Sequence, residues 1–176
     1  MKTQGLVTIL VKNMLVAVAA FQLALYFTTL FHKPAFPVGA LWSVISAYII
    51  LEAPPNELYV AVKNRMTGTF IGAFVGGIYF YFFPFTFFGY VLAIGVGVLV
   101  CFLFNRPKSV KLSGITISVV LIAAAISKDL HPITNAALRF AESAIGAGVA
   151  VIVTLLIFYI ENNFSQKNKK DGNYSA

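Results

Sequence analysis

Two small charge constellations interrupt otherwise apolar runs, and both use residue types suited to holding anions. Lys63 and Arg65 stand ahead of a glycine-rich stretch, and Arg139 and Glu142 stand three residues apart inside another apolar run. A guanidinium presents five donors in a fixed fork that matches a carboxylate. On a helix, residues 139 and 142 are neighbours, so Glu142 can pair with Arg139 and orient it. A charge at the centre of a membrane helix costs roughly 2.5–3.5 kcal/mol on insertion scales, so its retention points to a wet path or a buried partner. The plainer alternative is an ion pair reaching for the membrane surface. Glu52, beside Pro54 and Pro55, either carries a coupling proton or caps a helix corner. Other chemistry has no residues to rest on. His32 and His131 make no metal-ligand cluster, and the chain has no nucleophile elbow, phosphate loop or paired hydrolytic carboxylates. Enzymatic activity, a cofactor and a metal are therefore not expected.

The elements that would position these residues are membrane helices. The chain has 176 residues, 59% hydrophobic and only 11% charged. Soluble domains carry about 25% charged residues, so a soluble enzyme or nucleic-acid-binding domain is excluded and nucleic acid is not an expected partner. The single cysteine, Cys101, permits no intrachain disulfide and reads as a small buried hydrophobe. Charges and prolines divide the chain into six apolar runs, at 6–31, 36–51, 59–83, 85–104, 109–127 and 135–160. Each approaches the roughly 20 residues that a spanning helix needs, the second being marginal. The expected fold is therefore an all-α integral membrane protein with six transmembrane helices over residues 1–160. The stretch 161–176 reads as a polar, disordered cytoplasmic tail.

Basic residues give the orientation. With an inner N-terminus and six spans, Lys2, Lys12, Lys63, Arg65, Arg106, Lys108, Lys111, Lys167, Lys169 and Lys170 fall inside, and Lys33, Lys128 and Arg139 outside. That bias predicts both termini cytoplasmic, and a bacterial inner membrane is the expected location. Tyr79 through Tyr90, rich in aromatics around Pro84 and free of charge, suits an outer interfacial belt.

Aligned on their arginines, residues 65–76 and 139–150 share Arg, Ile, Gly, Ala and Val, and Thr69 faces Ser143. Two three-helix units of opposite orientation would form an inverted 3+3 repeat, a transporter signature. Gly68, Gly72 and Gly76 recur every fourth residue, and Glu142, Gly146 and Ala150 follow Arg139 at the same interval. Such stripes allow close helix packing, and either one could instead line a narrow pore.

The stretch from Pro37 through Trp42 and Ser46 to Leu51, followed by Asn64-Arg65-Met66-Thr67-Gly68-Thr69 and Gly72, resembles the fusaric acid resistance and aromatic acid exporter superfamily. The resemblance covers roughly residues 10–160 and is most specific at 42–72. It implies a membrane unit that exports aromatic carboxylates. The superfamily is related to plant aluminium-activated malate channels, which are dimers with basic residues along the pore. Larger members attach a cytoplasmic domain and often a second membrane half, which implies a homo-oligomer here, a dimer by preference. Glu52 stands where many relatives have a neutral amide, so no proton-coupling role passes to it. Taken together, the expected function is passage of organic anions, carboxylates above all, with efflux favoured. Lys63 would concentrate the anion, Arg65 and Arg139 would hold it at two ends of one conduit, and Glu142 would orient Arg139. The rival expectation is a non-transporting membrane scaffold whose glycines exist only for packing.

Overall fold

Long runs of Leu, Ala, Val, Ile and Phe leave the backbone no polar surroundings, so its N–H and C=O groups are satisfied within helices. The computed structural model describes the backbone of residues 2–31, 36–126 and 131–172, and the side chains of 5–31, 38–126 and 131–163. Lys33, Lys128 and His32 lie outside them, as do the side chains of Lys2 and the lysines beyond 163. Six α-helices follow one another: α1 Lys2–Phe31, α2 Phe36–Leu51, α3 Leu58–Phe82, α4 Phe87–Leu103, α5 Val110–Ile126 and α6 Pro132–Gly172. Short 3-10 turns at Pro55–Glu57 and Pro107–Ser109 lead into α3 and α5. α6 does not stop where the composition turns polar after Ile160; its backbone continues to Gly172.

The breaks have local causes. Pro54 and Pro55 prevent α2 from continuing, since proline lacks the N–H and blocks the preceding turn. At the α3–α4 turn, the Tyr79 hydroxyl donates to the Pro84 carbonyl at 3.2 Å, and Thr86 caps α4 by accepting the Gly89 N–H at 3.1 Å. α4 ends where Asn105 takes φ 53°, a left-handed position that asparagine tolerates. The Arg106 N–H then bonds back to the Cys101 carbonyl at 2.8 Å.

Six helices agree with the sequence reading, but six crossings do not follow from length and composition. Three helices are long and apolar enough to cross a bilayer singly: Gly5–Phe31, Pro107–Ile126 and Pro132–Asn163. Val38–Leu51 and Pro55–Phe82 qualify only as a pair bent by 112°, a broken span or re-entrant loop, and Phe87–Leu103 is shorter. The physical reason is the proline corner, which separates a short apolar helix from one that carries Lys63, Asn64 and Arg65 near its start.

The helices pack in two groups. α1, α2 and α6 bury Val16, Ala20, Ala47, Ile50, Ala147 and Ala150 together. α3, α4 and α5 bury Ile71, Val75, Ala93, Cys101, Ile117 and Leu121. Thus the third helix of each half leaves its own half and packs on the other half's second helix, α3 on α5 and α6 on α2. The groups join where α3 meets α6.

Glycine makes these close crossings possible. A β-carbon at Gly72 would stand 2.6 Å from the Ser113 carbonyl oxygen, and one at Gly68 would stand 2.8 Å from that of Ser109, both on α5. A β-carbon at Gly146 would collide with the Ser43 carbonyl of α2. These obstacles are backbone and cannot rotate away. Gly146→Ala should therefore lose about 1–3 kcal/mol of stability by overpacking. Gly95→Ala, at a helical position with open space around it, should gain about 0.5–1 kcal/mol. Reversible unfolding in mixed micelles would read both, and a neutral Gly146→Ala would refute the backbone contact.

Candidate functional site

α1 carries one buried stripe at every fourth residue, Val16, Ala20, Ala24 and Thr28, the last of which is polar. That interval keeps them on one helix face, so Thr28 points into the bundle. On α2 the same interval gives Gly39, Ser43 and Ala47, with Trp42 and Ser46 beside them. Arg65 and Thr69 share a face of α3, and Arg139, Glu142 and Ser143 share a face of α6. Where these faces meet lies a polar cluster without solvent exposure.

Arg65 is 0% exposed, Arg139 1% and Glu142 0%, and these are the fully buried charges among the described residues. Arg139 Nη1 lies 3.0 Å from Glu142 Oε2. Thr28, from α1, donates its hydroxyl to Glu142 Oε1 at 3.1 Å. The carboxylate sits over Gly39, where a β-carbon would collide with both Glu142 Oε1 and Thr28 Oγ1. Glu142 is therefore gripped from three helices, α1, α2 and its own.

Arg65 has a different environment. Its Nε and Nη2 donate to one hydroxyl, Ser46 Oγ, at 3.2 and 2.6 Å. Ser46 passes its proton on to Ser143 Oγ at 2.9 Å, and Thr69 and Ser143 share a hydrogen bond of 3.2 Å. The Arg65 guanidinium carbon stands 4.8 Å from the centre of the Trp42 ring, a cation–π contact. Among the described residues no carboxylate lies at ion-pair distance from Arg65, and its Nη1 has no partner. Arg139 Nε also lacks a partner. Buried donors left unpaired cost about 1–3 kcal/mol each, and more when charged, so this arrangement is retained against a stability penalty.

Trp42 links the two arginines. Its face supports Arg65, and its Nε1 donates to the Arg139 carbonyl at 2.9 Å. Expected as the two ends of a conduit, Arg65 and Arg139 are joined through one indole, which meets the guanidinium of the first and the main-chain carbonyl of the second. Each lies seven residues into its helix, about 10 Å along the axis. Gly68, Gly72, Gly76 and Gly146 face neighbouring helices, and Lys63 is exposed and outside the cluster. Thr28 and Gly39 escaped the sequence reading, although both sit on small-residue stripes with the same spacing as the glycines that were noticed.

Beside Trp42, between α2 and α5, is a cavity of about 230 Å3 lined by Val38, Leu41, Ile45, Ser118 and Ile122 among others. An apolar cavity thus borders the aromatic side chain on which a buried cation rests.

An apolar helical bundle whose interior holds an incompletely paired charge cluster has the character of a polytopic membrane protein. The sequence narrows this: residues 19–153 match the family model described as fusaric acid resistance protein-like, and the chain belongs to that family. Family membership makes it a multi-pass membrane protein that transports small organic compounds. No curated protein and no solved structure matches the chain.

Trp42→Phe should keep a ring under Arg65 while removing the N–H from the Arg139 carbonyl, costing about 1 kcal/mol. Trp42→Ala should cost about 3–5 kcal/mol, because a large buried side chain is lost. Equal losses for the two variants, measured by unfolding in micelles, would remove the ring contact from the account.

Proposed function

We propose that the chain passes organic anions, carboxylates in particular, across a bacterial inner membrane, with efflux as the working direction. The observation that carries this reading is Arg65, a fully buried guanidinium that has no carboxylate partner among the described residues and whose Nη1 is unused. An uncompensated buried cation is unfavourable alone and becomes favourable when an anion joins it. Arg139, with its free Nε, would assist from the other side of Trp42. The apolar cavity beside Trp42 suits an aromatic ring and supports aromatic carboxylates as the substrate class. Exposed Lys63 would raise the local anion concentration.

In this reading the six helices all cross, α2 and α4 as short or tilted spans, with both termini cytoplasmic. The halves form an inverted 3+3 repeat. In its favour are the reciprocal packing of α3 on α5 and of α6 on α2, and the hydrogen bond between the aligned residues Thr69 and Ser143. Aligned residues touch where a pseudo-two-fold axis passes between them. A homo-oligomer, a dimer by preference, would be the working form.

The scaffold reading draws on one observation, that the glycine stripes are occupied by neighbouring backbones. Flux separates the two. Proteoliposomes holding the purified chain should pass benzoate under an imposed potential, with potassium as the control ion. Arg65→Gln, whose amide still reaches toward Ser46, should lower benzoate flux by about tenfold or more at equal folded yield, as expected for a lost charge-assisted contact. Arg65→Lys should retain part of it. Unchanged flux in Arg65→Gln would remove Arg65 from the path, and no flux of any ion, with or without a pH gradient, would leave the scaffold.

A further inference from the structure

The three buried charges do not cancel. Among the described residues two buried arginines stand against one buried glutamate, so the cluster holds a single excess positive charge. The glutamate's allegiance is fixed by packing. Glu142 reaches Arg139 at 3.0 Å, accepts from Thr28 at 3.1 Å, and occupies the space left by the absent side chain of Gly39. A carboxylate held this way cannot swing over to Arg65. Nor is there an equivalent beside Arg65, because the residue three positions on is Gly68, pressed against α5. Arg139 is therefore neutralised by the protein and Arg65 is not.

We infer that Glu142 is a specificity-determining residue that sets the valence of the transported anion, limiting the pathway to monocarboxylates. The inference rests on the carboxylate-passing reading of the same site. A monoanion at Arg65 brings the buried cluster to neutrality. A dianion would place its second charge in a low-dielectric interior whose other cation is already paired with Glu142. Trp42 ties the Arg65 side chain to the Arg139 backbone, so the count of charges in this cluster is what decides which anion fits.

Benzoate and terephthalate share a ring and differ by one carboxylate, so their fluxes compare valence directly. Proteoliposomes of the full chain at neutral pH should carry benzoate faster than terephthalate by about tenfold or more, as expected for one uncompensated charge near a buried carboxylate. Glu142→Gln keeps the shape and raises the excess charge to two, and should narrow or invert that ratio. The double variant Arg139→Gln/Glu142→Gln returns the excess to one and should recover the benzoate preference, whatever its total flux. It also replaces Glu142→Gln as the deciding variant if the single substitution does not fold. Wild-type protein that carries terephthalate as well as benzoate would overturn the assignment, as would an unchanged ratio in folded Glu142→Gln or a lost preference in the double variant. No flux of either anion would instead overturn the underlying anion reading.

Discussion

The contact on which the arrangement depends is made by Trp42, whose indole supports the Arg65 guanidinium on its face and donates from its edge to the Arg139 carbonyl. Three buried charges in an apolar bundle are tolerable only if polar partners are supplied at hydrogen-bond distance, and those partners must come from other helices. Close approach is the prerequisite. Gly146 allows α6 to lie on the Ser43 carbonyl of α2, which brings Ser143 within 2.9 Å of Ser46, and Ser46 in turn carries Arg65. A wider crossing would leave the serines apart and Arg65 without its acceptor. Packing and charge are thus a single constraint at this place. The glycines serve the arginines by letting the helices approach.

The exchange of third helices gives the cluster its composition. Because α3 packs on α5 and α6 on α2, the polar faces of α3 and α6 both turn toward α2, and neither half could assemble the cluster alone. Thr28 adds α1, so four of the six helices contribute. Stability and function are coupled through this shared core. Loss of either member of the Arg139–Glu142 pair leaves a buried charge unpaired, with a cost of about 3–5 kcal/mol.

Much of the helix plan could be read from the chain, because in a membrane an apolar run between charges and prolines is a helix almost by necessity. The second run, 36–51, has the bounds of α2, and the others differ by a few residues at their ends, apart from the longer α6. The number of crossings was less legible. Hydropathy reports whether a segment is apolar and says little about whether a corner at Pro54 and Pro55 turns two helices through 112°. At the site, Arg65, Arg139 and Glu142 stood out because charge is rare in apolar runs, and the pairing of 139 with 142 follows from helical spacing. The link between the two arginines through Trp42, and the grip of Thr28 on Glu142, join residues up to 114 positions apart. No periodicity encodes such contacts. Gly39 is the clearest case: its role is to be absent where a carboxylate must fit, which becomes visible only once α2 and α6 are laid together.

The two halves meet the same steric problem in opposite ways. Three residues after Arg65, Gly68 gives up its side chain so that α3 can reach the Ser109 carbonyl of α5. Three residues after Arg139, Glu142 keeps a long side chain, and the vacancy is moved across to Gly39 on α2. Both solutions let a helix pair approach closely, and in that respect they are alike. Electrostatically they are not. The first leaves its arginine without a counter-charge, and the second supplies one. A glycine at both positions would bury two uncompensated cations, while a glutamate at both would leave no net charge to attract an anion. One of each leaves a single unmatched guanidinium, so the residues at these two positions set both the charge of the interior and the helix contacts around it.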